Sequence, residues 1–335
     1  MKKIASFWNK IKEKKVQCKL CPHNCIISDG KVGICGVRKN ENGILYSMIY
    51  GLASSLAADP IEKKPLFHFY PGSYAFSMGT VGCNFKCIHC QNYSISTADP
   101  SFAHMNEITS EQVVKNARQY SCQGVSYTYN EPTIWHEFSF ESARIVKKEG
   151  LYTCYVTNGY INEDPLKEIS KYLDAMNIDV KSFSNDFYKK ICKAKLQPVL
   201  NTCELAKELG IHIELTYLVI PTYNDSISEI EKFCNWIVEK LGNSVPVHFS
   251  RFHPDYNLQD IPRTSMQTLL NIYETAKNLG ILYPYLGNVS HGEYENTFCP
   301  KCGNLIIERN GYIINFQGLV NNKCNQCRHT IDIVN

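Results

Sequence analysis

The sequence predicts an α/β fold in which a parallel sheet and its helices are preceded by one cysteine-bearing segment and followed by another. Three observations predict it. Short apolar, β-branched runs alternate about six times with stretches of helical apolar spacing, which implies parallel strands joined by right-handed crossovers. Eleven of the 16 cysteines fall into three groups, one before this region, one at its first strand and one behind it. No glycine-rich phosphate loop follows the first strand, which runs directly into the second cysteine group. An open doubly wound sheet and a barrel both satisfy the alternation. The expected units are an N-terminal cysteine-rich segment over 1–72, the βα region over 73–290 and a C-terminal module over 291–335. No repeat and no low-complexity tract interrupts them.

Taken in order, the N-terminal segment ends in the stretch Lys64-Pro-Leu-Phe-His-Phe-Tyr-Pro-Gly72, and its basic start reads as a solvated helix face. Strands are expected over 75–81, 124–129, 152–157, 175–180, 212–220 and 245–250. Helices are expected over 110–120, with Thr109 as N-cap, and over 132–149, 199–209 and 227–241. Gly150, Gly210 and Gly242 are the stop signals of the last three. A further helix over 265–279 precedes Gly280.

Composition narrows the function classes. Hydrophobic residues make up 44% and charged residues 20%, the balance of a soluble globular chain. A net charge of +3 argues against a protein built to coat a polyanion. A secreted disulfide protein is disfavoured because the first 15 residues carry no apolar h-region and no small-residue cleavage site. No apolar run approaches a membrane span. Many cysteines without an export signal point to metal chemistry in a reducing, cytoplasmic setting. The isolated Cys122, Cys154, Cys192, Cys203 and Cys234 read as small buried hydrophobes.

The central segment is Gly79-Thr-Val-Gly-Cys83-Asn-Phe-Lys-Cys87-Ile-His-Cys90-Gln-Asn92. Cys83, Cys87 and Cys90, spaced Cx3Cx2C, can hold three corners of a [4Fe-4S] cluster, leaving one iron open to a small chelating ligand. A zinc knuckle would need a fourth ligand nearby. His89 is the local candidate, and its place next to Cys90 turns it away from the site.

This pattern resembles the radical S-adenosylmethionine (radical SAM) superfamily, which implies a partial (βα)6 TIM-like barrel. The resemblance also implies a [4Fe-4S] cluster that cleaves S-adenosyl-L-methionine (SAM) to a 5′-deoxyadenosyl radical, with flavodoxin or ferredoxin as the kind of reductant. Other segments strengthen it. Asn130-Glu131-Pro132 resembles the family's Gly-Glu-Pro, with Glu131 placed to accept from the SAM ammonium. Thr157-Asn158-Gly159 is similar to the Asp-Thr-Asn-Gly of pyruvate formate-lyase activating enzymes. Asp179-Val-Lys181 is similar to their Asp-Leu-Lys, implying contacts with the SAM ribose and carboxylate, and His253 matches a SAM-contacting histidine. Each of these residues alone reads equally well as a capped or solvated loop residue. All map to strand C-terminal ends, where a βα barrel builds its site. Two positions depart from the pattern: His89 replaces an aromatic residue, and Val156 replaces the aspartate.

Cys299, Cys302, Cys324 and Cys327 form two CxxC knuckles around a hairpin expected at Asn310-Gly311, the pattern of a zinc ribbon acting as lid or brace. Iron is the lesser possibility there. Cys18, Cys21, Cys25 and Cys35 suit either zinc or an auxiliary cluster, with His23 as a substitute ligand. With Asp59-Pro-Ile-Glu-Lys-Lys-Pro-Leu-Phe-His68, these modules resemble the AmmeMemoRadiSam-system radical SAM proteins of the activating-enzyme-like branch.

Three functions follow. The first is a lyase or oxidoreductase acting on a small molecule, sharpest as C–N cleavage of queuine by an anaerobe's queuine lyase. Its pocket would be lined by Tyr127, Tyr129, Trp135, Tyr217 and Phe252, with Glu214 and His248 either addressing the substrate or satisfied in the core. The second is a glycyl-radical activating enzyme. The third, a zinc or nucleic-acid-binding module, leaves the central triad without purpose. Neither a membrane nor a nucleic acid is expected as partner.

Overall fold

The computed structural model describes residues 2–289 and 292–335. An eight-stranded sheet forms its centre: β1 Ser55–Pro60, β2 Tyr74–Gly79, β3 Gly124–Tyr127, β4 Tyr152–Thr157, β5 Ala175–Asp179, β6 His212–Val219, β7 Val247–Arg251 and β8 Pro284–Gly287. The strands lie side by side in chain order. β2 to β8 are parallel and β1 is antiparallel at the β2 edge. The main crossover helices are α1 Ser110–Gln119, α2 His136–Lys148, α3 Glu163–Ile169, α4 Leu196–Glu208, α5 Ile227–Trp236 and α6 Met266–Asn278. A doubly wound sheet reverses its strand order at a switch point. No reversal occurs here, so that alternative is removed. Phe76, Met78, Val125, Leu215 and Phe249 join the core beneath the helices. Alternation puts Ser77, Ser126, Asn177, Thr216 and Ser250 on the other face.

Each strand and helix expected within the βα region is present, with ends moved by a few residues. Thr109 caps α1 through a capping box with Gln112, whose side chain reaches back to the Thr109 N–H. The 132–149 helix opens with a 3-10 turn at Pro132–Trp135, and the 227–241 helix closes with a π turn at Ile237–Leu241. Two strands of the sheet were not expected, β1 and β8. β8 starts on a proline, which is tolerated at a strand's first residue. α3 was also missed, because Pro165 sits within it. The proline lies in the first turn, where the missing N–H is not needed.

The basic start is not a helix. Lys3–Ile4 pairs with Ile44–Ser47, and Trp8–Lys10 pairs with Val16–Cys18. These small sheets enclose their own apolar cluster of Ala5, Val16, Leu20, Ile27 and Leu45. The C-terminal module pairs Thr297–Phe298, Leu305–Asn310 and Ile313–Phe316. Its hairpin turns through Gly311 at φ 59°, one residue later than expected, because glycine at the first loop position suits a two-residue turn. The expected boundary between the βα region and this module, residues 290 and 291, lies outside the described residues.

The module is not a lid over the C-terminal ends of the strands. It packs with Phe67, Tyr283 and Tyr285 in one cluster at the opposite end. Arg309 donates to the Phe67 carbonyl at 2.8 Å, and Tyr70 N–H donates to the Val334 carbonyl at 2.7 Å. Glu214 and His248 belong to this base. The Glu214 carboxylate accepts from the Phe67 and His68 N–H groups at 2.9 and 2.7 Å, from His248 at 2.7 Å and from His212 at 3.1 Å. Four donors satisfy it, which settles the core reading and removes the substrate-facing one. Burial opposes its charge, but the two histidines hold its pKa well below the usual carboxylate range.

Candidate active site

The site is built at the C-terminal ends of β2 to β7. After β2 the chain turns through Gly82, at φ 87°, directly against the N-terminal segment. A Cβ there would lie 2.6 Å from Val37 and 2.7 Å from the Cys35 carbonyl, so only glycine permits the approach. The loop that follows carries Cys83, Cys87 and Cys90, all partly exposed.

The expected SAM-contacting residues fall into two sets. One set supports the cysteine loop. Asn130 accepts from the Thr80 N–H at 3.2 Å and donates to the Gly82 carbonyl at 2.8 Å. Glu131 does not present a free carboxylate. It accepts from the Thr133 N–H at 2.9 Å, the Thr157 hydroxyl at 2.7 Å and the Asn158 N–H at 2.8 Å. Burial raises its pKa. Asn158 donates to Asn84 at 2.8 Å and lies 3.8 Å from the Cys83 sulfur. In this structure Asn130, Glu131, Thr157 and Asn158 therefore tie the ends of β3 and β4 to the cysteine loop.

The other set faces the open end. Asp179 and Lys181 form an ion pair at 2.8 Å, both partly exposed. Burial opposes the Lys181 charge, but Asp179 and Cys87 outweigh it and raise its pKa. His253 is exposed and donates to the Pro254 carbonyl at 2.6 Å. Its loop reaches the cysteine segment, since Asn257 N–H donates to the Ile88 carbonyl at 3.0 Å and Tyr93 stacks on Tyr256.

The expected aromatic lining is mostly core. Tyr127, Trp135, Tyr217 and Phe252 are buried, the first three with polar atoms bonded to Ser142, Ile49 and Asn224. Tyr129 is different. It is held at φ 73° after β3, and its hydroxyl donates to Asp59 at 2.6 Å. The buried Lys64 ammonium also bonds Asp59 and lies over the Tyr129 ring.

Sequence reasoning missed two neighbours of the triad. Cys192 is a buried core residue, as expected, but it lies beside the cysteine loop, where its carbonyl accepts from Lys86 N–H at 2.9 Å. Ser96 lies 3.3 Å from the Cys90 sulfur. Only the packing of the π turn Tyr188–Cys192 against the loop brings Cys192 there, and no local spacing signals it. His89 does turn inward to a buried position, as its place beside Cys90 requires, and burial lowers its pKa to about 3. Burial raises the pKa values of all three triad thiols, with the Cys192 contact the leading cause at Cys87. The donor set of three sulfurs suits a cluster that leaves one iron open.

The radical SAM superfamily model matches residues 78–237, the interval that holds the triad and β3 to β6. The chain is 48% identical to an uncharacterized protein of Methanocaldococcus jannaschii over 98% of its own length and 99% of the relative's. Residues 78–237 of the chain form a radical SAM domain. It is also 26% identical to the pyruvate formate-lyase-activating enzyme of Clostridium pasteurianum, over 36% of this chain and 54% of that one. A radical SAM methyltransferase from Sphaerobacter thermophilus shares the fold, with TM-score 0.50 at 14% identity over 71% of each chain. Members of the superfamily use a [4Fe-4S] cluster and SAM to form a 5′-deoxyadenosyl radical, and they need both a substrate and a reductant. No helix among the described residues is long and apolar enough to cross a membrane.

The C-terminal cysteines form a separate centre. The Cys299, Cys302, Cys324 and Cys327 sulfurs lie within 4.8 Å of one another. That closed set of four thiolates fits a tetrahedral ion held for structure, with no open position for substrate.

Proposed function

We propose that Cys83, Cys87 and Cys90 hold the [4Fe-4S] cluster of a partial (βα)6 barrel whose substrate is a small molecule. Held by these three cysteines, a [4Fe-4S] cluster would supply the one-electron reduction needed to cleave SAM and so the hydrogen-abstracting chemistry directed at the substrate. The protein's part is to orient and to exclude water. Asp179, Lys181 and His253 hold SAM at the strand ends, while Asn130, Glu131, Thr157 and Asn158 fix the loop that carries the cluster.

The observation that carries the small-molecule reading is the docking of the N-terminal segment on the cysteine loop. His23 donates to the Asn84 carbonyl at 2.7 Å, and Asn162 N–H donates to the Leu20 carbonyl at 3.1 Å. We take this wall as an obstacle to a protein loop entering at the strand ends. The C-terminal module, which sits at the other end, adds nothing to that argument, and zinc is the ion we assign to it. Queuine is the first substrate to test, with C–N cleavage as the reaction.

The activating-enzyme reading is the second, favoured by the similarity to the Clostridium pasteurianum enzyme. Deuterium tracing separates the two. Label from queuine recovered in 5′-deoxyadenosine supports the first, whereas label only from a glycyl-radical loop peptide supports the second. Cys83→Ala, Cys87→Ala and Cys90→Ala are each expected to abolish SAM cleavage under reduction. Persistent cleavage in the triple variant would overturn the assignment of the triad.

A further inference from the structure

The N-terminal cysteines differ from the C-terminal four in their spacing. Cys18, Cys21, Cys25 and Cys35 line one closed cavity of about 20 Å³, walled by Leu20, Ile27, Ile34 and Ile134. Among the described residues, only the C-terminal four bring their sulfurs within 4.8 Å of one another; no three of the N-terminal sulfurs do so. Zinc–sulfur bonds of about 2.3 Å would draw four thiolates to within roughly 4 Å of each other. A cubane, with irons and sulfides between its ligands, holds them further apart.

The surroundings suit an anionic cluster. Arg38 is buried, lies 3.6 Å from the Cys18 sulfur and pairs with Glu137 on α2. Backbone N–H groups of His23, Ile34 and Val37 point at Cys21, Cys25 and Cys35. Hydrogen bonds of this kind and an apolar wall set a cluster's potential.

We propose that these four cysteines hold a second iron–sulfur cluster, which passes electrons to the cluster of the triad. Four thiolates leave no open iron, so this cluster binds no substrate, and electron transfer is the chemistry left to it. Its position fits that task. The Cys35 carbonyl packs on Gly82, and His23, two residues after Cys21, bonds the carbonyl of Asn84, next to Cys83. The outer wall is thin: Ile34 lines the cavity and is 46% exposed, with Ile26 and Val32 also exposed. Lys19 and Lys31 are exposed in the same segment, which suits an acidic electron-carrier protein. The step moves one electron from such a low-potential carrier to the second cluster and then to the first, where SAM cleavage consumes it. No proton moves.

The proposal rests on the radical SAM reading only for the destination of the electron, and the test separates the two. The variant Cys83→Ala/Cys87→Ala/Cys90→Ala is reconstituted anaerobically and analysed for iron, sulfide, zinc and low-temperature EPR. The expected result is one remaining four-iron cluster with a reduced-state EPR signal. Zinc at two per chain with no iron would overturn the proposal, whatever the wild-type protein does with SAM. Conversely, a retained cluster beside a wild-type protein inert to SAM would leave the second cluster standing and remove the radical SAM reading. In Cys21→Ser/Cys35→Ser, the triad cluster's absorbance should lose its fast bleaching by reduced ferredoxin. Unchanged fast bleaching would overturn the relay.

Discussion

Arg38 and Glu137 show how much one buried pair is asked to do. Both are almost fully buried. The pair joins the N-terminal segment to α2, and Glu137 also accepts from the Ser6 N–H at 2.7 Å. Burial opposes the Glu137 charge, and Arg38 overcomes it, so the carboxyl pKa is lowered. Arg38→Met would leave that carboxylate without a cation. Losing one partner of a buried pair costs about 3–5 kcal/mol, whereas replacing both by apolar residues is close to neutral. Urea denaturation should show that loss in Arg38→Met and recovery of most of it in Arg38→Met/Glu137→Leu. Equal instability of the two variants would mean that the pair is not the source. The pairing was invisible in the sequence because its members are 99 positions apart. The triad was legible for the opposite reason, since its chemistry is contained in eight consecutive residues.

At the level of elements, the seam between the cysteine loop and the N-terminal segment depends on Gly82. Its φ of 87° disfavours any side chain, and a Cβ would overlap Val37 and the Cys35 carbonyl. Gly82→Ala should cost about 2 kcal/mol or more. It should also raise protease sensitivity within residues 2–50 before the βα region unfolds, because the displaced contacts belong to that segment. Uniform loss of both regions would show that the seam is not an independent weak point. The βα alternation was readable because helical and strand periods are local properties of the chain. β1 and β8 were not, since each is a short run whose pairing partner decides its conformation. The direction of the C-terminal module was also unreadable: two CxxC knuckles specify a metal site but not the surface it packs on.

For the whole molecule, the two ends of the sheet do different work. The C-terminal ends carry the triad and the groups assigned to SAM. The N-terminal ends are closed by 64–70, by the metal module and by the hydrogen bonds centred on Glu214. His68 belongs to that closure: it donates to the Asp332 carbonyl at 2.8 Å and bonds Tyr285 at 2.7 Å, and burial lowers its pKa to about 4, so it stays neutral there.

Such a base makes the fold acid-sensitive in a definable way. A carboxyl whose folded pKa is depressed contributes stability above its unfolded value, about 4.3, and loses it as pH falls towards the folded value. Glu62 and Glu131, raised by burial, act in the opposite sense, so the total pH dependence of the wild type mixes both signs. The comparison with Glu214→Gln isolates the base. An amide at this position must turn its NH2 toward two of the four donors, because each carboxylate oxygen accepts from two, which costs about 2–4 kcal/mol at neutral pH. Protonation imposes the same defect on the wild type. The stability gap between the two proteins should therefore be full at pH 6–7 and shrink as pH falls below about 4. Denaturation midpoints measured across that range check it, and a gap independent of pH would show that the Glu214 charge does not hold the base closed.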